Sequence, residues 1–230
     1  MKSMKNIMGL MAVAVMLMFP LTASAADGQL GIYVAPKVIY GLTYMKDFKY
    51  RQSNNDNDNV GNKWDSAFGG SLAAGYDFSK KLNIPLRGEL EYAIFTKAEA
   101  EGEKWGSRYE QSNNIQTLFA NVYYDINTGT KFTPYVGAGM GAGFIRTKGH
   151  GDWGWATFDT GSKTVTNFAW NVGLGLGYQI TNNIILDVGY RFADLGKVHT
   201  NWNTDYAYPC RMEIKRIYQH QFSIGARFTF

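Results

Sequence analysis

Phe222-Ser223-Ile224-Gly225-Ala226-Arg227-Phe228-Thr229-Phe230 closes the chain, and its reading decides the fold. Phe222, Ile224, Ala226, Phe228 and Phe230 fall on one side of an extended segment, and Ser223, Gly225, Arg227 and Thr229 on the other. Successive side chains of a strand point to opposite faces. In a water-soluble protein this terminal strand would leave its apolar half bare. A strand of a transmembrane barrel uses both halves, one toward lipid and one toward the lumen.

The same alternation recurs upstream. Strands are expected over about 30–44, 67–78, 84–96, 115–126, 132–147, 166–180, 184–193 and 214–230, and the apolar face falls on even-numbered residues in each. Leu30, Ile32, Val34, Val38, Tyr40 and Leu42 carry it in the first; Phe168, Trp170, Val172, Leu174, Leu176, Tyr178 and Ile180 carry it in the sixth. A helix could not keep that parity, because its side chains repeat every 3.6 residues. A soluble barrel with an apolar interior is excluded by the polarity of the odd-numbered face. No apolar run after residue 25 reaches the ~20 residues of a membrane helix, so a membrane-spanning chain of this kind must close into a barrel that satisfies its own backbone. The fold class is all-β: an eight-stranded antiparallel up-and-down transmembrane β-barrel.

Connections set the orientation. Those near 79–83, 127–131 and 181–183 are tight and carry the Asn, Thr and Gly chemistry of turns. Those over about 46–65, 97–114, 148–165 and 194–213 are long and hydrophilic. Short turns lie in the periplasm and long loops outside, which places both termini in the periplasm. Tyr76, Phe78, Tyr124, Phe132, Tyr178, Phe228 and Phe230 then belong to an inner aromatic girdle, and Tyr40, Tyr92, Phe144, Phe168, Tyr190 and Tyr218 to an outer one.

The N-terminus agrees with export. Lys2 and Lys5 precede an apolar stretch from Ile7 to Phe19, Pro20 ends it, and Ala23-Ser24-Ala25 is a small-residue cleavage site. Residues 1–25 read as a secretory signal peptide that is removed, and residues 26–230 as the barrel domain. The residue immediately after the cleavage site is Ala26 and not a cysteine, so no lipoprotein anchor is expected. With Lys2 and Lys5 taken from the 23 basic residues, 21 remain against 19 acidic ones, and no basic face for nucleic acid is expected. Cys210 is the single cysteine and is expected as a free thiol.

The odd-numbered face defines a polar lumen. It carries Lys37, Arg87, Arg191 and Arg227 against Asp77, Glu89, Glu91, Asp125 and Asp187, with Asn121, Tyr123, Tyr135 and Gln221 among the neutral groups. Eight strands enclose only enough space for side chains, so these charges are expected to pair as a plug; a narrow polar pore is the alternative. Gly137, Gly139, Gly141 and Gly143, like Gly173, Gly175 and Gly177, recur at period two. That spacing does not fit a nucleotide-binding loop and instead leaves room for Tyr and Arg side chains from opposite strands. The acid- and amide-rich Asn54–Asn59 lacks the spacing of a calcium loop and reads as hydrated. No cofactor or metal site is expected. His150, His199 and His220 show no fixed spacing to a Ser and a carboxylate, so no catalytic residue and no enzyme are expected. Trp64, Trp105, Trp153, Trp155, Trp202, Tyr206 and Tyr208, joined by Tyr109, fall in or beside the long connections as candidate contact residues.

Four blocks carry a family resemblance: Arg87-Gly88-Glu89-Leu90-Glu91-Tyr92, Asn121-Val122-Tyr123-Tyr124-Asp125, Thr133-Pro134-Tyr135-Val136-Gly137-Ala138-Gly139, and Asp187-Val188-Gly189-Tyr190-Arg191-Phe192 followed by Asp194-Leu195-Gly196. On these the chain resembles the small outer-membrane barrels of the opacity-protein type, related to the membrane domain of outer-membrane protein A. Closure on an aromatic strand similarly resembles the outer-membrane assembly signal, with Phe228 and Phe230 as its residues. The resemblance implies the outer membrane of a diderm bacterium, contact with its lipids and lipopolysaccharide, and recognition of the last strand by the outer-membrane assembly machinery. It further implies work at the surface through four loops: adhesion or recognition of a host or surface ligand, or envelope integrity. Passage of small solutes is the alternative. The chain ends at Phe230 without the peptidoglycan-binding domain of longer relatives, so no tether to the cell wall is expected.

Overall fold

A computed structural model describes residues 30–53, 57–104, 106–154, 156–205 and 209–230. The leader expected over 1–25 lies outside the described residues. Ten strands follow in order: β1 (Ile32–Gln52), β2 (Asn57–Asp77), β3 (Leu86–Phe95), β4 (Ala98–Lys104), β5 (Ser107–Asp125), β6 (Phe132–Asp152), β7 (Thr157–Gln179), β8 (Ile184–Asp194), β9 (Val198–His199) and β10 (Cys210–Thr229), with one helical turn, α1 (Ser79–Leu82), between β2 and β3. Eight of them, β1-β2-β3-β5-β6-β7-β8-β10, form an antiparallel ring, and β10 pairs back on β1 from Thr229 opposite Tyr33 to Cys210 opposite Gln52. The Leu30 amide donates to the Phe230 carbonyl at 3.1 Å and the Phe230 amide to the Ile32 carbonyl at 2.9 Å, so the seam is hydrogen-bonded to the last residue. No helix among the described residues is long and apolar enough to cross a membrane.

The even-numbered apolar residues face outward through the lower part of the ring. Leu72, Leu90, Val122, Val136, Leu174 and Ile224 are each half or more exposed. An apolar surface of this extent is unsustainable in water and is the lipid-facing band of a membrane barrel. Its inner rim carries aromatic contacts such as Tyr76 on Phe78 and Phe132 on Tyr178, both with ring centroids 4.9 Å apart.

The long connections differ from the hydrated loops expected from sequence. Strand pairing continues through most of them: β1 and β2 stay paired to Arg51 and Asn57, β4 and β5 to Lys104 and Ser107, and β6 and β7 to Asp152 and Thr157. Beyond Gly69, β2 pairs only with β1, and before Trp170, β7 pairs only with β6. The outer part of the molecule is therefore two sheets, β2-β1-β10-β9 and β4-β5-β6-β7, facing each other across an apolar core. We call this part the crown. Met45, Phe48 and Tyr50 of β1, Tyr109, Ile115 and Phe119 of β5, Ile145 of β6, Phe158 of β7, and Met212, Ile214 and Ile217 of β10 fill it, each 3% exposed or less.

Bulges make that core possible. Asp47 takes the left-handed conformation (φ 53°), and the β1–β2 register shifts between Met45 and Lys49. Below the bulge the even residues Leu42 and Tyr44 face outward; above it the even residues Phe48 and Tyr50 face inward. On β7, Gly161 (φ 64°) marks the same exchange, with Phe158 and Thr160 buried and Phe168 and Trp170 exposed. One extra residue swaps every following side chain to the other face. Ile214, expected outward from its parity, pairs directly with Phe48 beyond the Asp47 bulge and is buried with it.

Candidate functional site

The interior of the ring is polar at membrane level. Lys37 on β1 sits between two carboxylates of β3, its Nζ 2.7 Å from Glu89 Oε1 and 2.7 Å from Glu91 Oε2. Glu91 Oε1 is in turn 2.7 Å from Arg191 Nη2 on β8, and the Arg191 Nε donates to Gln221 Oε1 on β10 at 2.6 Å. The hydroxyls of Tyr33 and Tyr123 donate to Glu89. Nearer the periplasmic end, Arg87 Nε meets Asp125 Oδ2 at 2.6 Å and its guanidinium lies over the rings of Tyr123 and Tyr135, 4.8 and 4.9 Å from their centroids. Arg227 binds Asp187 with two nitrogens, at 3.1 and 2.9 Å. Asn171 donates to Asn121 at 3.0 Å. Asp77 instead caps the β2–β3 turn through the Ser79 amide and hydroxyl. A gap of about 40 Å³ remains beside Lys37, Glu91, Tyr123, Tyr135 and Arg191, room for a few water molecules at most.

The glycine runs serve this packing in a way that differs from expectation. Room is made mainly for tyrosine rings of the neighbouring strand, and at Gly177 for Arg227 of β10, two strands away, where a Cβ would lie 3.2 Å from its guanidinium. A Cβ on Gly137 would lie 2.3 Å from the Tyr123 ring, and one on Gly175 2.4 Å from the Tyr135 ring. Gly137 and Tyr123 are direct cross-strand partners, as are Gly175 and Tyr135.

Above the charged level the interior changes character. Met45, Ile115, Phe119, Ile145, Leu195 and Ile217 have no exposed surface. Sequence reasoning missed this apolar level. The available signal was the set of apolar residues at odd positions near the outer strand ends.

The crown surface is organised around the segment after β8. Asn167 Nδ2 donates to the carbonyls of Leu195 and Lys197, both at 2.9 Å, and Asn203 Nδ2 to the Asp159 carbonyl at 2.8 Å, so the otherwise unpaired edge of β7 and the segment beside it are tied together. Glu213, with its side chain 5% exposed, is gripped by Lys197 at 2.8 Å, Arg51 at 3.1 Å and Arg211 at 3.4 Å. Burial opposes ionisation of this carboxyl, but Lys197, Arg51 and Arg211 outweigh it and hold it below the usual carboxylate range.

The aromatic residues expected at the loops divide. Trp64 is on β2, 60% exposed, with its ring 4.6 Å from Tyr44 and 6.0 Å from His220, in the outer girdle and not on a loop. Trp153 packs inward on Phe158 at 5.0 Å, and Tyr109 is buried against Tyr50 at 4.9 Å. Trp202 is exposed, with the Arg211 guanidinium 4.6 Å from its ring. Trp105, Trp155, Tyr206 and Tyr208 lie outside the described residues. Phe228 pairs with Val34 of β1 and Ile184 of β8, and the Phe230 backbone closes the seam.

Residues 11–230 match the family described as outer membrane protein beta-barrel domain. The chain belongs to this family. The outer membrane protein PagN of Salmonella typhimurium is 29% identical over 215 residues, 87% of this chain and 88% of that one. A Rickettsia conorii protein described as a candidate adhesin is 27% identical over 178 residues, 73% of this chain and 68% of its own length. Opacity proteins of Neisseria gonorrhoeae also match. Among solved structures, the outer membrane protein OprG of Pseudomonas aeruginosa superposes with a TM-score of 0.52 at 12% identity, covering 87% of this chain and 97% of that one, a likeness of fold.

Membership fixes the compartment as the outer membrane of a Gram-negative bacterium and makes the chain a membrane barrel, not an enzyme. His150 pairs with Asp159, His199 with Lys163 and His220 with the Tyr190 hydroxyl.

Two outcomes follow from this geometry. Replacing Arg227 with Met leaves the Asp187 carboxylate buried without its partner and costs about 3–5 kcal/mol, read as a lower urea midpoint of the refolded barrel; the double replacement Arg227→Met/Asp187→Leu recovers most of that loss. For Glu213 the folded-state pKa is depressed, so its contribution is complete at neutral pH and fades as pH falls below about 4. Amide exchange at Val198–Thr200, corrected for intrinsic rate, accelerates at acid pH in the native chain and is already fast at pH 7 in Glu213→Gln.

Proposed function

We propose that this protein is a surface adhesion or recognition protein whose barrel is sealed and whose working parts are the four hairpin tips. The observation that carries the reading is the crown. Four hairpins continue the barrel wall outward and share one apolar core, which is a costly way to build a channel mouth and an effective way to hold contact residues at fixed positions. The names of the relatives support it: one is described as a candidate adhesin. Trp105, Trp155, Tyr206 and Tyr208, at or beside the tips by sequence, are the contact residues, with Trp202 next to them. The partner is a ligand on a host cell or another surface.

In the same reading the lumen residues, from Lys37 to Arg227, are structural. Their charges pair across the interior, and the apolar level above them stops water and solutes. The last strand, with Phe228 and Phe230, is the segment the assembly machinery engages, and residues 1–25 are the leader removed on export. The outward apolar band and its girdles meet membrane lipid and lipopolysaccharide.

Because the apolar core lies within the hairpins, trimming them would unfold the crown, so point changes at the tips are the appropriate test. Trp105→Ser/Trp155→Ser/Tyr206→Ser/Tyr208→Ser, displayed on a non-adherent bacterium, is expected to lose attachment to cultured cells while keeping the heat-dependent gel shift of the folded barrel. Attachment equal to that of the native chain overturns the assignment. In planar bilayers the native chain is expected to be silent, and Ile115→Ala/Phe119→Ala/Ile217→Ala to give discrete conductance steps. Reproducible steps from the native chain would favour the narrow-porin reading.

A further inference from the structure

Residues 195–203 bridge the two sheets of the crown, and the bonds on their two sides differ in kind. Toward β10 they are backbone bonds. The Leu195 amide donates to the Ile217 carbonyl at 2.9 Å, the Thr200 amide to Met212 at 2.9 Å and the Asn203 amide to Cys210 at 2.7 Å. Val198 pairs with Ile214 and His199 with Glu213 in the same ladder. Toward β7, among the described residues, the bonds run through side chains. Asn167 reaches the Leu195 and Lys197 carbonyls, Asn201 Nδ2 donates to the Ser162 carbonyl at 3.4 Å and Asn203 Nδ2 to the Asp159 carbonyl. Lys163 Nζ meets His199 Nε2 at 2.9 Å. We call this segment the strap.

Of these bonds to β7, Lys163–His199 is the one that responds to pH near neutrality. An ammonium has donors and no acceptor, so Lys163 donates and His199 Nε2 accepts, with the ring proton on Nδ1. A second proton on the ring takes that lone pair. The bond is then lost and two cations face each other. Directly across the ladder from His199 stands Glu213, which Lys197, Arg51 and Arg211 hold below the usual carboxylate range and which is therefore still ionised where histidine titrates. The charged groups facing His199 are Lys163 of β7, Arg211 and Glu213 of β10, and Lys197 on the strap itself; Arg51 of β1 is bound to Glu213. On β6, which also packs against β9, Lys148 and His150 are engaged with Asp159. Burial, with Lys163, Arg211 and Lys197 beside it, holds His199 below the usual histidine range, and Glu213 opposes this without overcoming it. The tie to β7 is therefore complete above about pH 6.5 and is lost as pH falls through the lower value of the folded chain.

We propose that the strap is a pH-sensitive clasp: neutral His199 fastens it to β7 through Lys163, and protonated His199 turns to Glu213 and frees the β7 side while the β10 side stays paired. The two positions use one side chain and two partners on opposite edges, so a single proton exchanges one attachment for the other. The crown stands outside the membrane, and the clasp responds to the acidity of the medium. Its window ends where Glu213 itself takes a proton, below about pH 4, and the hold on β10 weakens as well. The inference concerns how the crown is fastened and stands apart from the adhesion reading of the tips.

The test uses the full mature chain refolded into lipid nanodiscs, with folding of each variant checked by the heat-dependent gel shift. NMR follows the three histidine rings and the hydrogen exchange of the Asn201 and Asn203 carboxamides, corrected for intrinsic rate. From about pH 7.5 to about pH 5, carboxamide exchange in the native chain is expected to quicken about tenfold as His199 titrates, the equivalent of one hydrogen bond to a charged group. Backbone exchange at Val198–Thr200 is expected to stay slow over that range. His199→Gln, whose side-chain oxygen accepts from Lys163 without titrating, is expected to keep slow carboxamide exchange throughout. Lys163→Met is expected to exchange fast already at the upper pH, to change little on acidification, and to let His199 titrate closer to about pH 6.5. His150→Gln is expected to respond as the native chain does. Exchange that does not change with pH in the native chain, an undiminished acid response in His199→Gln, native rates in Lys163→Met at the upper pH, or a lost response in His150→Gln overturns the proposal.

Discussion

Every other feature of this molecule depends on the closure of β10 against β1. Inside lipid an unpaired amide or carbonyl has no solvent to turn to, so the ring must be complete, and here pairing runs from Tyr33–Thr229 to Gln52–Cys210. Closure at eight strands fixes the bore at the width of side chains. That width forces Lys37, Glu89, Glu91 and Arg191 within reach of one another and obliges glycines such as Gly137 and Gly175 to yield space to tyrosine rings.

The same strands serve two solvents. In the membrane the surroundings are apolar, so the outward face is apolar and the inward one carries the charges. Beyond the head groups the surroundings are water, and the preference inverts. The bulges at Asp47 and Gly161 make that inversion without changing the sequence pattern: Leu42 and Tyr44 face lipid, Phe48 and Tyr50 face a buried core, and all four are even-numbered. A charged level and an apolar level therefore stack along one bore.

This arrangement explains what was legible in the sequence. Parity alone located the lipid face and the charged lumen, because within the membrane a slip of one residue would place charge in hydrocarbon. The short and long connections gave the topology for a similar reason: turn residues and hydrophilic runs are local. The crown was hidden. Apolar residues inside hydrophilic segments, such as Phe48, Tyr109, Phe158 and Met212, look like scattered exceptions until two sheets bring them together, and a bulge formed by an ordinary Asp carries no signal in its neighbours. Ile214 was misplaced for that reason, and Trp153 and Tyr109 read as surface aromatics because only tertiary packing turns them inward.

The strands that build the crown are the strands that cross the membrane; β1 runs unbroken from Ile32 near the periplasmic rim to Gln52 beside its tip. A force applied at a tip is carried along the strand axis. It loads the flanking ladders in shear, with many backbone hydrogen bonds sharing the strain at once, instead of peeling them open one after another. The hairpins thus transmit tension straight into the ring that anchors them, and the bulges, where the ladder is locally interrupted, are the points at which such a load would first be felt.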